Sequence, residues 1–193
     1  MKHTLVLAVS IAALSLAGCK KSEAPEGNAT ATTAASEDPM TGAMAPATPA
    51  ATPGQTFADT AAASDQFEIE SSKLAATKAQ SAKVKTFAEQ MIKAHTDSTA
   101  KLKTAAANAS PAITPAPKLT AMQQQTLDDL NTKSGAEFDA AYAKAQADAH
   151  QMTLDTLKAY SANGDVPSLK SFATTLVPIV TAHLNMVKGL AKS

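Results

Sequence analysis

The sequence has neither arginine nor tryptophan among its 193 residues, and its lysines are balanced by an equal number of acidic residues. Arginine forks and tryptophan rings are the side chains that proteins favour for binding phosphate and for stacking on bases. A formal net charge of +0 provides no electrostatic attraction to a polyanion. We therefore expect no nucleic acid among the partners of this protein.

The standard catalytic motifs are also missing. The sequence contains no glycine-rich phosphate loop, no GxSxG nucleophile elbow, and neither a CxxC nor an HExxH motif. No catalytic residue is predicted from the sequence. The pattern favours a protein that is not an enzyme.

Cysteine occurs once, as Cys19, so no intramolecular disulfide can form even in an oxidising compartment. The chain opens with a basic residue, Lys2, followed by an apolar run from Leu5 to Leu16. That run is too short to span a bilayer as a helix, and small residues follow it. The pattern predicts a cleaved export signal over residues 1–18.

The segment Leu16-Ala17-Gly18-Cys19 resembles the lipobox of bacterial lipoproteins, in which the cysteine sulfur receives a diacylglyceryl group and becomes residue one. We predict lipidation of Cys19 and attachment to a membrane through that lipid. An ordinary signal peptide with an incidental cysteine is the alternative. Lipoproteins held at the inner membrane carry Asp after the cysteine, and Lys20 at this position predicts the outer membrane, with the folded domain facing the periplasm.

Large aliphatic and aromatic residues are scarce from residue 20 to residue 55, as in ATATTAASEDPMTGAMAPATPAATPG. A segment of this composition cannot bury a core, so residues 19–55 are predicted to be the lipidated cysteine followed by a disordered tether. The remaining residues, 56–193, are close to the usual size of one domain. We expect a single folded domain there.

Helix-forming residues dominate from position 56 onward, and no alternating strand pattern occurs. The predicted fold class is therefore all-α. Breaker residues divide the region into four long helices, A to D, with a short extra helix in the B-to-C crossover, which is the pattern of a four-helix bundle. The predicted bounds are about Thr56–Thr77 for A, Ser81–Ala107 for B, Leu119–Thr132 for the short helix, Ser134–Asn163 for C, and Asp165 onward for D.

Local signals refine these bounds. Ser134 and Glu137 have the spacing of a capping box and are predicted to start helix C. Gly164 is predicted to end helix C in the left-handed conformation, and Asp165 to cap helix D. Pro178 lies inside helix D, where its missing N–H predicts a kink or a local opening.

Each long helix has one ionisable residue on its otherwise mostly apolar or small-residue stripe: Glu68 on A, His95 on B, His150 on C and His183 on D. Counted from the turns, the partners within each hairpin differ in height by roughly 5 to 8 Å, since a helix rises about 1.5 Å per residue. We therefore expect these side chains to approach one another near the middle of the bundle.

Three interpretations of these residues are open. In the first, the histidines are satisfied core residues that donate to Tyr142, Tyr160 or a hydroxyl group, with Glu68 in the same polar network. In the second, Glu68 and the three histidines are ligands of a transition metal, for which zinc, iron or copper is suitable. In the third, the histidines face solvent or a protein partner.

Five spaced segments resemble a bacterial exported family called domain of unknown function 4142. They are FEIESSKLA at Phe67, VKTFAEQMIKAH at Val84, GAEFDAAY at Gly135, AQADAH at Ala145 and LVPIVTAHL at Leu176. The resemblance covers about residues 57–190 and implies a ferritin-like bundle, but no established reaction. The family's pattern falls on Glu68, His95, Phe138, Asp139, Tyr142, His150, Pro178 and His183.

A ferroxidase-type di-iron centre is not expected, whatever the fold. Di-iron proteins of ferritin-like type supply a Glu-x-x-His motif from two helices. Here Ile92 and Val180 stand three residues before His95 and His183. The carboxylates that such a centre needs are therefore missing.

The leading hypothesis from the sequence is a non-enzymatic, outer-membrane-anchored periplasmic lipoprotein. A role in envelope maintenance or stress tolerance follows from the family resemblance alone. The alternative is a metal-binding or redox protein that uses the cluster of Glu68, His95, His150 and His183. A third hypothesis is a helical adaptor for another envelope protein.

Overall fold

The computed structural model describes residues 51–190, which form five α-helices. The four long helices form a ring in which α1 packs on α2 and α4, and α5 packs on α2 and α4, while α3 lies against α1 and α4. The predicted all-α bundle with a short helix in the crossover is confirmed. The helices are α1 (Pro53–Lys78), α2 (Ala82–Ala107), α3 (Ala121–Thr132), α4 (Gly135–Asn163) and α5 (Pro167–Leu190).

The predicted export signal, Cys19 and nearly all of the predicted tether lie outside the described residues. Among the residues that are described, none of the helices has the length and hydropathy needed to cross a membrane.

Helix α1 begins three residues earlier than the sequence predicts. The Thr52 hydroxyl accepts a hydrogen bond from the Gln55 backbone N–H at 3.2 Å, and Pro53 occupies the first turn, where its missing N–H costs nothing. Gly54 is buried against Val166, and a Cβ at Gly54 would come within 2.7 Å of Val166 Cγ2. Residues 53–55 belong to the helix because its first turn packs against the α4–α5 turn.

The predicted capping box of α4 is wrong. Ser134 precedes the helix, but its side chain makes no capping hydrogen bond, and Gly135 turns the chain with a φ of 62°. A capping box starts α3 instead, where Thr120 and Gln123 each bond the other's backbone N–H. Gly135, in the left-handed conformation, is therefore the first residue of α4, and a backbone turn starts this helix in place of a capping side chain.

The predicted caps at the α4–α5 turn are also wrong. Gly164 has φ −61° and ψ 149°, so it is extended and not left-handed. A Cβ at Gly164 would lie 2.6 Å from Tyr160 Cε1, so glycine is required by close packing. Asp165 accepts a hydrogen bond from the Tyr160 hydroxyl at 2.8 Å, and α5 begins only at Pro167, after Val166.

Pro178 does not interrupt α5, which is continuous from Pro167 to Leu190. The proline removes the hydrogen bond that the Thr174 carbonyl would receive in a regular helix. Pro178 and Thr174 are both exposed, so water can solvate that carbonyl. The solvent-facing position explains why the helix tolerates the proline.

The predicted apolar stripes face the core. The stripe of α5 is buried except at Leu190, which is half-buried; its residues are Leu169, Ala173, Leu176, Val180, His183, Val187 and Leu190. Burial of these side chains provides the main favourable free energy of folding. The stripe of α2 is buried at every position, namely Val84, Phe87, Met91, His95, Ser98 and Leu102.

One end of the core is filled by three aromatic rings, Phe57, Tyr160 and Phe172, which we call the aromatic layer. The rings of Phe57 and Tyr160 are stacked with centroids 3.8 Å apart, and the Phe172 ring meets Phe57 edge-on at 6.4 Å. The Tyr160 hydroxyl reaches the Asp165 carboxylate. The layer joins α1, α4 and α5 with its one polar group hydrogen-bonded.

Three of the positions named by the family resemblance have structural contacts at the opposite end of the bundle. Asp139 accepts hydrogen bonds from the backbone N–H groups of Gln80 at 3.1 Å and Ser81 at 2.8 Å, so it caps the start of α2 from α4. The rings of Phe138 and Tyr142 are fully buried and stacked at 5.7 Å. These residues fix the α1–α2 turn on α4.

Candidate metal centre

Three histidines from three helices meet in the interior of the bundle. His95 lies on α2, His150 on α4 and His183 on α5, and each offers one ring nitrogen within 4.8 Å of the other two. Their ring centroids are 5.6 to 6.0 Å apart. We call these three side chains the histidine cluster. The meeting expected from residue heights is therefore observed for the histidines.

The cluster contains three buried nitrogen atoms that have no hydrogen-bond partner among residues 51–190. They are His95 Nε2, His150 Nε2 and His183 Nδ1. A buried polar atom left without a partner costs about 1 to 3 kcal/mol. Most buried polar groups in folded proteins are paired, so three such atoms at one place are suited to bind a cation.

The opposite ring nitrogens of two histidines are held by hydrogen bonds. His95 Nδ1 lies 2.8 Å from Asp65 Oδ1, and Asp65 also accepts from the Thr99 hydroxyl at 3.2 Å. His150 Nδ1 lies 2.8 Å from the Gln146 backbone carbonyl. Since a carboxylate and a carbonyl only accept, Nδ1 carries the proton in both rings. In the neutral form of each ring the lone pair is therefore on Nε2, which leaves that nitrogen able to bind a metal.

Glu68 is fully buried beside the cluster. Its Oε1 lies 3.3 Å from His150 Nδ1, and neither carboxylate oxygen has the geometry of a hydrogen bond with any described group. Glu68 thus supplies a negative charge at the edge of the cluster, and its role as a fourth ligand stays a prediction.

The charges of Glu68 and His150 favour each other. Burial alone would raise the pKa of Glu68, but His150, and with it His95 and the Gln146 amide, outweighs burial and lowers this pKa. Burial would lower the pKa of His150, but Glu68 and the Gln146 carbonyl raise it in the balance. The negative charge of Glu68 and a proton on His150 therefore stabilise each other.

The pKa of His183 is shifted in the opposite direction to the pKa of His150. Burial, together with the positive charges of His150 and His95, lowers the pKa of His183 to about 4. Its ring is therefore neutral at neutral pH, which is the form that binds a metal. His183 is also the most exposed of the three histidines, at 9%.

The structural interpretation of the histidines is wrong about the tyrosine partners, although Glu68 does lie beside His150 in the core. The Tyr142 hydroxyl is paired with the Ser72 hydroxyl at 2.8 Å, and the Tyr160 hydroxyl with Asp165. Burial raises the pKa of Tyr142, so this phenol keeps its proton. The interpretation in which the histidines face solvent is also wrong, because all three are buried.

Sequence reasoning missed two polar residues of this site, Asp65 and Gln146. Both are buried, and the Gln146 amide also donates to the Ser71 hydroxyl at 3.0 Å. Asp65 stands three residues before Glu68, so it lies on the same face of α1. A second acidic residue at that spacing was the available signal.

Three solved structures share this fold. They are CopM in the Cu(II)-bound form, with TM-score 0.61 and 19% identity, CopM in the Cu(I)-bound form, with 0.59 and 17%, and CopM in the Ag-bound form, with 0.57 and 18%. Each match covers 72% of this chain and 95% of the CopM chain. At these identities the likeness establishes a common helical fold.

No curated protein matches the chain. The model of one protein family, described as Domain of unknown function (DUF4142), matches residues 39–190, which is most of the sequence and includes all of the described helices. The chain therefore belongs to the DUF4142 family.

Proposed function

We propose that this protein binds a transition-metal ion in the cell envelope, with copper as the first candidate. The observation that carries the proposal is the histidine cluster, in which three buried and unpartnered imidazole nitrogens converge from three helices. Two of the rings are oriented by hydrogen bonds on their other nitrogen. Such bonds are what orient metal-binding histidines in general.

The distances suit a metal ion after a small contraction. Ligand nitrogens around one ion at about 2.0 Å are roughly 3.5 Å apart, since zinc and similar ions bind imidazole at that length. The three nitrogen atoms here lie within 4.8 Å of one another. Small rotations of the side chains can close this difference. Glu68 provides the negative charge that a buried cation requires.

Copper is favoured over other ions by the likeness in fold. Imidazole ligands alone accommodate zinc, copper, iron and nickel. Three solved structures that share this fold are Cu(II)-bound, Cu(I)-bound and Ag-bound forms of CopM. That likeness supports copper for this chain, and the bundle would hold the ion out of contact with solvent.

The test is metal-dependent stability of the purified full-length protein. Unfolding curves are measured with and without Cu(II), Cu(I) and Zn(II), and the protein-bound metal is quantified. An ion at 100 times its dissociation constant raises the free energy of unfolding by about 2.7 kcal/mol. We expect His150→Ala to abolish both the gain and the bound metal.

Leu154→Ala is the matched control, because Leu154 is buried on α4 one turn after His150. It should lower stability without a metal, through the cavity it creates, and keep the metal-dependent gain. Coincident unfolding curves for every ion would contradict the proposal. So would unchanged metal content in His150→Ala.

A location in the envelope is the second part of the proposal. It is supported by the export signal pattern and by the lipobox-like segment ending at Cys19. The expected anchor is the lipid on Cys19, holding the protein at the outer membrane with the bundle in the periplasm. Cys19→Ser should move the protein from the membrane fraction to the soluble fraction. Normal cleavage with continued membrane retention would contradict a lipid anchor.

In this setting the metal site gives the predicted stress role a chemical basis. A protein that buries copper in the envelope removes a reactive ion from solution, so it contributes to tolerance of excess metal. The adaptor hypothesis has less support. Within the described region, α3 exposes one large apolar side chain, Met122, which does not amount to a docking patch.

A further inference from the structure

A groove between α2 and α5 ends close to the histidine cluster. It has a volume of about 370 Å³, and Phe87, Gln90 and Met186 are among the side chains that line it. Phe87 is buried, and its ring centroid lies 6.4 Å from that of His150. The wall of the groove is therefore one ring away from the cluster.

Helix α5 places Met186 next to His183. Met186 follows His183 by three residues, so the two side chains lie on the same face about one turn apart. Met186 is 42% exposed, and His183 is the most exposed member of the cluster. A thioether at the surface thus stands beside the histidine that is nearest to solvent.

We propose that Met186 captures a soft monovalent ion, Cu(I) or Ag(I), and passes it to His183 and so to the histidine cluster. This inference rests on the proposed function and concerns how the site is loaded. Thioether sulfur is a soft ligand that selects Cu(I), and it has no proton to lose on binding.

The transfer is a ligand exchange. As the imidazole nitrogen of His183 forms its bond to the ion, the bond between the ion and Met186 Sδ breaks. The ion keeps its oxidation state, so no oxidant or reductant takes part. The sulfur and the nitrogen each donate a lone pair and recover it on release.

Lys83 also lines the groove, and its charge adds selectivity. The repulsion between Lys83 and an incoming cation doubles when the charge of the cation doubles. Capture by Met186 therefore disfavours divalent ions for two reasons, namely their larger charge and their weaker affinity for sulfur. Zinc should reach the cluster at a rate that does not depend on Met186.

The experiment measures the rate of metal loading in the full-length protein. Ag(I), or Cu(I) without oxygen, is presented as a complex with a coloured chelator, and loss of the complex is followed by stopped flow. Met186→Leu keeps the size and apolar character of the side chain and removes the sulfur. We expect this variant to lose the fast phase of transfer, with unchanged final occupancy and unchanged Zn(II) loading.

Met152→Leu is the matched control, because Met152 is 54% exposed on α4 and is not among the residues that line the groove. It should load at the rate of the unsubstituted protein. A fast phase that persists in Met186→Leu would overturn the inference, and so would equal slowing in both variants. A lower final occupancy in Met186→Leu would make Met186 a permanent ligand and would also overturn it.

The two proposals fail in distinguishable ways. If the unsubstituted protein holds none of Ag(I), Cu(I), Cu(II) and Zn(II) at equilibrium, the proposed function fails and this inference fails with it. If the unsubstituted protein binds and Met186→Leu loads equally fast, only the loading route is wrong.

Discussion

The aromatic layer and the histidine cluster lie in the same bundle, but they differ in whether their buried polar atoms are hydrogen-bonded. In the aromatic layer the rings of Phe57 and Tyr160 are stacked, and the hydroxyl of Tyr160 is hydrogen-bonded. In and beside the histidine cluster, three ring nitrogens and both oxygens of Glu68 have no hydrogen-bond partner within the described part of the chain. The aromatic layer favours the folded state, whereas unpaired polar atoms in the core lower its stability.

This difference separates stability from function within one fold. Buried apolar rings stabilise a bundle without specifying any ligand. Unpaired buried polar atoms destabilise it, so their presence at one point indicates a role other than folding. Substitutions in the aromatic layer should therefore change the free energy of unfolding, while those around the histidine cluster should change metal affinity.

The largest effect on stability is expected for Phe57→Ala. Removing a buried phenylalanine ring costs about 3 to 5 kcal/mol, because contacts are lost and a cavity is left. Phe57 contacts both other members of the aromatic layer, so we expect the upper part of this range. Urea unfolding without metal measures the loss.

Metal stoichiometry of the folded Phe57→Ala protein should be unchanged. If the variant stays folded but binds no metal, the two regions are not separable as we describe. A loss below about 1 kcal/mol would show that the stacked rings contribute less than buried aromatic groups usually do.

Asp65→Asn should lower the metal affinity of the histidine cluster. It removes the charge that holds His95 Nδ1 at 2.8 Å, and loss of such an outer partner typically lowers metal affinity about 10- to 100-fold. That factor corresponds to about 1.4 to 2.7 kcal/mol of binding free energy. Competition with a chelator of known affinity gives the value.

Asp59→Asn is the control for Asp65→Asn. Asp59 is on the same helix and accepts hydrogen bonds from Gln55 and the Ala116 backbone N–H. Neither of these partners belongs to the histidine cluster, so substitution of Asp59 should leave metal affinity unchanged. Equal losses in the two variants would remove the special role of Asp65.

A smaller effect should appear at high pH through Tyr160. Burial, and then its hydrogen bond to Asp165, raises the pKa of Tyr160 to about 12. Between about pH 10, where an unfolded tyrosine loses its proton, and pH 12 the native state binds more protons than the unfolded state. Stability contributed by Tyr160 is therefore complete below pH 10 and lost as pH rises toward 12.

Tyr160→Phe isolates that contribution, since lysines titrate in the same pH range in both proteins. The variant should be less stable at neutral pH, and its unfolding free energy should fall less steeply above pH 10. Parallel pH profiles for the two proteins would contradict the assignment.

The smallest effect is expected for Thr52→Ala. Loss of an N-cap hydroxyl usually costs about 1 kcal/mol, and Thr52 caps only the first turn of α1. Thr60→Ala, at an exposed position on the same helix, should change the free energy of unfolding very little. Metal affinity should be equal in both variants. A difference would show that the start of α1 is energetically coupled to the distant histidine cluster.

Much of the fold was accessible from the sequence because it depends on local periodicity. The repeated spacing of apolar residues predicted the α2 and α5 stripes, and the prolines between Ala107 and Leu119 predicted the long crossover. The meeting of the histidines also followed from counting residues, since antiparallel helices joined by short turns keep their relative heights.

Other features were not accessible because they depend on contacts between distant segments. Gly135 takes a positive φ, so the helix start at Ser134 is shaped by the backbone and not by a capping side chain. Asp139 caps a helix that begins 57 positions earlier in the chain, at Ala82. Predicting the pairing of Asp65 with His95 likewise requires the rotation of α1 and of α2 about their own axes. Counting residues from the turns gives the position of a residue along a helix but not this rotation.

The distribution of the three histidines between the two hairpins has a topological consequence. His95 belongs to the α1–α2 hairpin, and His150 and His183 belong to the α4–α5 hairpin. An ion bound to all three would be a crosslink between halves of the chain that are otherwise joined covalently by the crossover alone. An ion that binds only the folded chain stabilises it by mass action, whereas a disulfide acts by lowering the entropy of the unfolded chain. With one cysteine this chain cannot form that disulfide, and a reversible metal crosslink would take its place.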